Sequence, residues 1–270
     1  MHDFKNKVVF ITGAASGVGA GVVRLLMEEG VKHVAILDVA EDAGKAIQDE
    51  LNAKYGDDKV KFYWCDVTDE DAFLGIMADV KSKHGYIDVI INNAGIMNDS
   101  WQTYKKQILI NVLALVTGSL RALEMMRQDE GGRGGTIINI SSVVALCQLP
   151  ALPVYWSTKS AVLQFSNCLG LEEFHNRTGV RVIAVCLGAT DTALLSRQKL
   201  ATFDKVYDGQ MVHLIGSAYK QKMESAAKGI VEAYKQGESG STWVATRDEP
   251  AKDITADVKQ AYKILSVYAL

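Results

Sequence analysis

The chain of 270 residues lacks the charge and cysteine patterns that mark several protein classes. Lys and Arg total 29 against 32 Asp and Glu, so no excess of basic residues is present to hold a nucleic-acid backbone. Its four cysteines include no Cys-x-x-Cys pair and no metal-ligand spacing, which favours reduced, buried thiols. The five histidines also lack mutual metal spacing, so we expect no metal and place them at the surface or at helix ends.

Signals for export or membrane insertion are also missing from the sequence. Residues 1–7 lead directly into an apolar strand and contain no apolar region typical of a signal peptide. No run of apolar residues is expected to reach the length of a membrane span. We therefore expect a cytoplasmic protein without a membrane span.

Short apolar runs alternate with longer amphipathic segments along most of the chain. Strands are expected at residues 8–11, 34–37, 60–64, 89–91, 136–140 and 180–185. Helices are expected at residues 17–29, 43–55, 70–83, 101–127 and 155–176. Strands that are apolar throughout are typical of a parallel sheet covered on both faces. The pattern predicts an α/β fold over residues 1–270: a single domain with one doubly wound parallel sheet of about seven strands.

A glycine-rich turn joins the first strand to the first helix. Gly13 permits a tight turn, Gly17 lets the backbone approach a pyrophosphate, and Gly19 lets helix and strand pack closely. The helix N-terminus presents free N–H groups to phosphates, so Ser16 and Val18 join the candidate cofactor contacts. The three-residue gap between the first two glycines departs from the usual dinucleotide fingerprint, and a glycine turn without a ligand is the alternative.

Asp38 ends the second strand 19 residues after the last of these glycines. A carboxylate at this position accepts hydrogen bonds from both ribose hydroxyls of an adenosine and repels a 2′-phosphate. Positions 14–16 hold no Lys or Arg, so the sequence favours NAD over NADP. Asp66 and Val67, after the third strand, stand where an adenine amino group could be met, although Asp66 could also start a helix cap.

Tyr155 and Lys159 are four residues apart, which places them on one face of a helix. An adjacent ammonium stabilises a phenolate and lowers the phenol pKa, so that the tyrosine can transfer protons near neutral pH. Taken alone, the pair is equally typical of a solvated helix face.

Five motifs together resemble the short-chain dehydrogenase/reductase family in order and spacing. They are Thr12-Gly-x-x-x-Gly-x-Gly19, Asn92-Asn93-Ala94-Gly95, Asn111, Ser142 and Tyr155-x-x-x-Lys159. The resemblance covers roughly the first 195 residues. Within the family the chain looks most like the NAD-dependent branch that includes insect-type alcohol dehydrogenases and prostaglandin dehydrogenases, because of its Gly-Gly-x-Gly-Gly and Leu-Pro-Val-Tyr segments.

The resemblance implies a role for each catalytic candidate. Tyr155 is the acid/base, and Lys159 lowers its pKa and binds the nicotinamide ribose. Ser142 holds the substrate oxygen, although Ser141 is a rival that only the spacing to Tyr155 disfavours. Asn111 marks a helix irregularity whose carbonyl holds a proton-relay water; the alternative is a polar core residue.

The resemblance also implies further cofactor contacts. On the adenosine side these are Asn93, Ala94 and Gly95, and at the nicotinamide end Gly188, Thr190 and Thr192. Here Cys186-Leu187-Gly188 replaces the family's Pro-Gly, which we expect to loosen the turn that shapes the nicotinamide pocket. The C-terminal residues 240–270 also diverge from the family.

The expected substrate pocket is apolar. Ser142 and Tyr155 would meet the substrate together with Leu149 and Leu152, and residues 189–215 form a substrate loop and helix. The apolar residues expected there are Leu194, Leu195, Tyr207, Met211 and Leu214. This composition favours an apolar alcohol or ketone as substrate of an NAD-dependent dehydrogenase. The alternative is a catalytically lapsed NAD-binding protein that acts as a sensor or structural component.

The family resemblance implies a homodimer formed by the helices at 101–127 and 155–176, with a tetramer as the alternative. The first helix carries apolar residues on more than one side, as in 108–110 and 113–115, so a second stripe remains to be buried; the alternative to a subunit contact is burial against the long neighbouring loop. The stripe residues are Leu109, Val112, Val116, Leu120 and Leu123 on the first helix, and Val162, Phe165, Cys168, Leu169 and Leu171 on the second.

Overall fold

The computed structural model describes residues 1–196, 198–216 and 219–269. Within them, eight strands form one sheet in the order β3-β2-β1-β4-β5-β6-β7-β8. The strands are β1 Val8–Thr12, β2 His33–Asp38, β3 Val60–Trp64, β4 Val89–Asn92, β5 Gly135–Ser142, β6 Val180–Leu187, β7 Ser241–Ala245 and β8 Lys252–Asp253. Only β8 pairs antiparallel. The predicted parallel sheet of about seven strands is confirmed, and a two-residue edge strand is added to it.

Helices cover both faces of this sheet. They are α1 Gly17–Glu28, α2 Glu41–Tyr55, α3 Glu70–His84, α4 Tyr104–Ile108, α5 Leu115–Met126, α6 Pro153–Leu169, α7 Glu172–Thr178, α8 Lys205–Gly216, α9 Met223–Gln236 and α10 Thr255–Ser266. A π-helix, Leu109–Ala114, joins α4 to α5. The single helix expected at 155–176 is wrong in one respect, because it breaks after Leu169. Gly170 lies so close to Gly240 that an added Cβ would be 2.5 Å from the Gly240 nitrogen.

Alternate residues of the central strand β1 enter two separate cores. Ile11 packs on one face with Leu26 of α1 and Ile230 of α9. Phe10 packs on the opposite face, with Phe73 of α3. The run 8–11 is apolar because both faces of β1 are buried.

A buried polar network fastens the central strands to the helices that bear the site. Asn92 donates from Nδ2 to Asn139 Oδ1 at 2.8 Å and to Ser119 Oγ at 3.0 Å. Asn139 donates in turn to Ser166 Oγ at 3.0 Å. These bonds link β4, β5, α5 and α6, and they satisfy polar groups that would be costly to bury alone.

The segment Tyr104–Met126 is long and apolar enough to cross a membrane by length and composition, contrary to the expectation from apolar runs. This is weak support for a span, since core helices of water-soluble proteins pass the same test. Here Asn111 and Ser119 of the segment hydrogen-bond to other elements of the fold.

The expected outward stripe is correct only in part on each helix, since Leu123 of the first helix packs against the core that contains Phe73. Leu109 and Leu120 are each more than two-fifths exposed, as is Leu113 beside them. Val162 and Leu169 of α6 are instead buried against the sheet. Helical spacing could not tell which apolar side of α6 faces the sheet.

Two expectations about cysteine and histidine also need correction. All four cysteines are unpaired, but only Cys65 and Cys186 are buried; Cys147 and Cys168 are exposed. His33, expected at the surface or at a helix end, is 1% exposed at the start of β2.

Candidate active site

The glycine-rich turn has the backbone geometry that its sequence predicts. Gly13 and Gly17 adopt φ values of +65° and +56°, in the left-handed region that favours glycine. A Cβ on Gly13 would lie 2.8 Å from Ala94 Cα, and one on Gly19 would lie 2.7 Å from Asn93 Nδ2. Asn93 braces the turn by donating from Nδ2 to Thr12 O at 3.0 Å and Gly13 O at 2.9 Å. The turn therefore leaves backbone exposed at the N-terminus of α1, which fits a pyrophosphate.

Asp38 stands beside that turn. Its Oδ2 accepts from Ala15 N at 3.0 Å, and its Oδ1 accepts from Ala40 N at 3.0 Å. The carboxylate is thus fixed at the end of β2, next to the turn, as a ribose contact requires.

Asp66 also has partners within the protein. Its Oδ1 accepts from Thr68 N at 3.0 Å, and its Oδ2 pairs with Lys106 Nζ at 3.1 Å. Hydrogen bonds with Thr68 and Lys106 lower the pKa of Asp66 against the opposing effect of burial. Residues 66–69 do form the cap of α3, as the alternative expected, but the capping side chain is that of Asp69, which accepts from Ala72 N. Its neighbour Val67 lines a small cavity with Thr12 and Ala94.

Asn111 lies in the π-helix, and its amide spans to the loop after β4. Oδ1 accepts from Ile96 N at 2.9 Å, and Nδ2 donates to Ile96 O at 2.9 Å and to Thr158 Oγ1 at 3.2 Å. A Cβ on Gly95 would approach Asn111 Oδ1 to 3.3 Å. The helix irregularity implied by the family resemblance is confirmed, and the side chain also acts as a polar core residue.

The structure separates Ser142 from its rival Ser141. Ser141 Oγ donates to the Lys159 carbonyl at 2.8 Å, so it fastens β5 to α6. Ser142 Oγ donates to Leu187 O at 3.1 Å, and Ser142 lies near enough to the Tyr155 phenol to lower its pKa. Ser142 is therefore the serine that meets Tyr155.

Burial dominates the ionisation of the Tyr155–Lys159 pair. It raises the pKa of Tyr155, with Ser142 acting in the opposite direction. It lowers the pKa of Lys159 to about 8. The expectation that Lys159 lowers the tyrosine pKa is not met, because Lys159 Nζ lies 5.8 Å from the Tyr155 ring centroid and donates to Ile140 O at 2.9 Å.

The turn after β6 is held firmly despite its missing proline. Gly188 N donates to Ala245 O at 2.9 Å, and Thr190 Oγ1 donates to Gly188 O at 2.9 Å. Thr246 lies where a Gly188 Cβ would stand, so glycine is required there. These contacts restrain the backbone where the proline is missing, and the expected loosening stays a prediction. Thr192 also reaches the glycine-rich turn, since a Cβ on Gly17 would lie 3.5 Å from its Cγ2.

An apolar cluster surrounds Tyr155. Leu152 is buried in it, whereas Leu149 is 57% exposed and outside it. Its other members are Met97, Leu200 and Met211, with Val144, Trp156, Leu194 and Leu195 packed against them. Tyr207 is half-buried on α8, and the side chain of Leu214 lies outside the described residues. The segment after β6 therefore contributes directly to the surroundings of Tyr155.

Sequence reasoning missed two groups that the fold assembles. Asp99 and Gln107 are buried: Asp99 accepts from the Tyr155 amide in the first turn of α6, and Gln107 of α4 donates to Asp99. An Asp in a loop gives no sign in the sequence that it will contact a distant helix. His33, Asp58 and His84 place ligand atoms within 4.8 Å of one another. The two histidine rings stack at 3.9 Å with a 26° tilt, so His84 would have to turn before both could face one ion.

Known proteins share this sequence pattern. A sequence model described as short chain dehydrogenase matches residues 7–201. The chain is 33% identical to human 15-hydroxyprostaglandin dehydrogenase [NAD(+)] over 195 residues, 72% of each chain. It is 32% identical to alcohol dehydrogenase 1 of Ceratitis capitata over 243 residues, 89% of this chain and 91% of the relative.

Solved structures share the fold. A dehydrogenase/reductase from Sinorhizobium meliloti superposes with a TM-score of 0.73 at 21% identity, covering 90% of this chain and 94% of the other. Levodione reductase gives 0.73 at 22% identity, covering 90% and 96%.

The lowered pKa of Lys159 predicts a pH dependence of stability. Between its folded pKa of about 8 and the ordinary value of 10.5, the unfolded chain binds more protons, so this residue's contribution to stability rises with pH. Relative to Lys159→Met, the wild type should gain up to about 1.4 kcal/mol of unfolding free energy per pH unit in this window. Urea unfolding at several pH values measures this gain. Lys61→Met, which removes an exposed ammonium from β3, should parallel the wild type; a parallel Lys159→Met curve would contradict the assignment.

Proposed function

The chain belongs to the short-chain dehydrogenase family, and on that premise we propose that it is an NAD-dependent alcohol dehydrogenase. Its substrate is an apolar alcohol or ketone, of the insect-type alcohol, terpenoid, steroid or lipid class. The observation that carries the proposal is the convergence of Tyr155, Ser142 and Lys159 beneath the apolar cluster described above.

Each of these residues has a distinct task in the proposed reaction. A bound nicotinamide supplies the hydride chemistry. In reduction, the Tyr155 phenol gives its proton to the carbonyl oxygen, and in oxidation the Tyr155 phenolate takes the hydroxyl proton of the alcohol. Ser142 hydrogen-bonds the substrate oxygen, and Lys159 would bind the ribose of the nicotinamide. Asn111 supports a backbone carbonyl of the π-helix that holds a water for proton exchange.

The glycine-rich turn and Asp38 support NAD as the cofactor. Backbone N–H groups at the start of α1 would receive the pyrophosphate, and the Asp38 carboxylate would accept from the ribose hydroxyls. The other proposed contacts are Asp66, Val67, Asn93, Ala94 and Gly95 on the adenosine side, and Gly188, Thr190 and Thr192 at the nicotinamide end. The relative named for NAD(+) agrees with this choice.

A substrate screen tests the proposal. The segment 189–215 brings four apolar side chains to Tyr155, those of Leu194, Leu195, Leu200 and Met211. Such a lining offers few hydrogen-bonding groups to a sugar or an acid. NAD reduction should therefore be detected with at least one medium-chain, terpenoid or steroid alcohol. Measurable NADH binding with no alcohol oxidised would favour the lapsed sensor or structural protein instead. The hydrogen bonds that restrain the turn at Gly188 weaken the main sequence argument for that alternative.

We also propose that the protein works in the cytoplasm. Its cysteines are unpaired, including the exposed Cys147 and Cys168. Exposed free thiols fit a compartment in which thiols stay reduced.

Tyr155→Phe removes the acid/base while retaining the ring. Turnover with the alcohol found in the screen should fall by at least ~100-fold, because general acid–base assistance is lost. NADH affinity, measured by fluorescence titration, should stay unchanged. Tyr63→Phe, which removes a hydroxyl on β3 that bonds Asp79, is the matched control and should retain turnover. Near-normal turnover of Tyr155→Phe would show that another group moves the proton.

Asp38→Ala should relax the cofactor preference. The variant loses two ribose hydrogen bonds with NAD and also loses the repulsion of a 2′-phosphate. The ratio of kcat/KM for NAD and NADP should therefore move toward NADP. Asp42→Ala, which removes another carboxylate from the first turn of α2, is the control for net charge. A wild type that already prefers NADP refutes the assignment.

We propose a homodimer through the α4–α5 and α6 helices, with a tetramer as the alternative. Leu113 and Leu120 are 51% and 49% exposed on the outer side of the first helix. On α6 fewer apolar residues are exposed than the helical spacing predicts, because Val162 and Leu169 are buried. Sedimentation equilibrium at micromolar concentration should give twice the monomer mass for the wild type. The Leu113→Glu/Leu120→Glu variant should sediment as a monomer, and the control Leu265→Glu on α10 as a dimer. A monomeric wild type ends this proposal.

A further inference from the structure

A buried carboxylate caps the helix that carries Tyr155. The N-cap residue of α6 is Leu152, whose side chain has no acceptor for the first amides of the helix. Asp99 is 1% exposed and supplies that acceptor. Its Oδ2 accepts from Val154 N at 2.7 Å, and its Oδ1 accepts from Tyr155 N at 3.0 Å. Asp99 thus acts as an N-cap from 56 positions away in the sequence.

Gln107 of α4 orients this carboxylate. Its side chain is fully buried, and its Nε2 donates to Asp99 Oδ1 at 2.7 Å. Its Oε1 accepts from Asn98 N at 2.5 Å, so the same residue holds the backbone of the loop. Within the described part of the chain, no Lys, Arg or His forms an ion pair with Asp99. Amide donors and the positive end of α6 compensate the charge instead.

The substrate segment covers Asp99 from the other side. Asp99 N donates to Ala201 O at 2.8 Å, and Asn98 Nδ2 donates to Lys199 O at 2.9 Å. Leu200, between them, packs in the apolar cluster around Tyr155. Hydrogen bonds shielded from water in this way are stronger than exposed ones. The carboxylate can therefore hold the helix end in one position.

We propose that Asp99 is a positioning residue for the reaction. By fixing the amides of Val154 and Tyr155, it holds the phenol where a proton passes to or from the substrate. This inference rests on the proposed role of Tyr155 as acid/base. The Tyr155 amide cannot shift without breaking its bond to Asp99, and a displacement of about 1 Å at such a group costs ~100-fold in rate.

Asp99→Asn tests the proposal because it keeps the shape of the side chain and turns an NH₂ group toward an amide donor. With the alcohol that the wild type oxidises, kcat should fall about 10-fold or more. NADH affinity should not change, and the amides of residues 154–156 should exchange hydrogen faster. Asp69→Asn is the matched control, since Asp69 caps α3 by accepting from Ala72 N at 3.1 Å. That variant should leave both kcat and exchange at 154–156 unchanged.

Gln107→Leu keeps the carboxylate but removes the donor that orients it, so it should lower kcat by less than Asp99→Asn does. If Asp99→Asn does not fold, Gln107→Leu decides the question. Faster amide exchange with normal kcat overturns the proposal, because the cap is then only structural. A wild type that binds NADH and oxidises no alcohol refutes the proposed function, and this role with it. An active wild type with equally active variants refutes this role alone.

Discussion

Parallel strands end at a common edge of the sheet, and the whole candidate site depends on that constraint. Neighbouring strands in this order deliver side chains that are far apart in sequence to one crevice. The residues placed there by β1, β2, β4, β5 and β6 are Gly13, Asp38, Asn93, Ser142 and Gly188. Among the catalytic candidates, Tyr155 and Lys159 come from α6 and Asn111 comes from the π-helix. The Ser141 hydroxyl and the Lys159 ammonium fasten α6 to β5.

Burial then limits how these groups can be arranged, because a polar atom removed from water needs a partner. Lys159 is 5% exposed and satisfies its ammonium on the Ile140 carbonyl, while the Asn111 amide bonds the backbone of Ile96 on both sides. Both partners of each bond belong to the protein itself. Such bonds hold polar groups of the site in place, which lowers the reorganisation that a reaction there requires.

The strands, most helices and the glycine-rich turn could be predicted because their signals are local: apolar runs, helical spacing and glycines at a strand end. Periodicity gave no sign of the π-helix around Asn111, which only the family resemblance implied. The contact of Asp99 with Tyr155 spans 56 residues and could not be seen in a loop sequence. The stacking of His33 on His84 could not be predicted either, because the two histidines belong to different elements that only the fold brings together.

The replaced proline after β6 shows how backbone pairing can take over the task of a rigid residue. Leu187 stays within the ladder, opposite Ala245 of β7, and its carbonyl accepts from Ser142 Oγ. A proline would fix φ, whereas here hydrogen bonds on both sides of Gly188 fix the same segment. The Leu187–Ser142 bond also ties the turn directly to a candidate catalytic side chain. Ser142 is therefore held by a main-chain carbonyl of β6, whereas the segment 189–215 supports Tyr155 through the apolar cluster and through the bond from Asp99 N to Ala201 O.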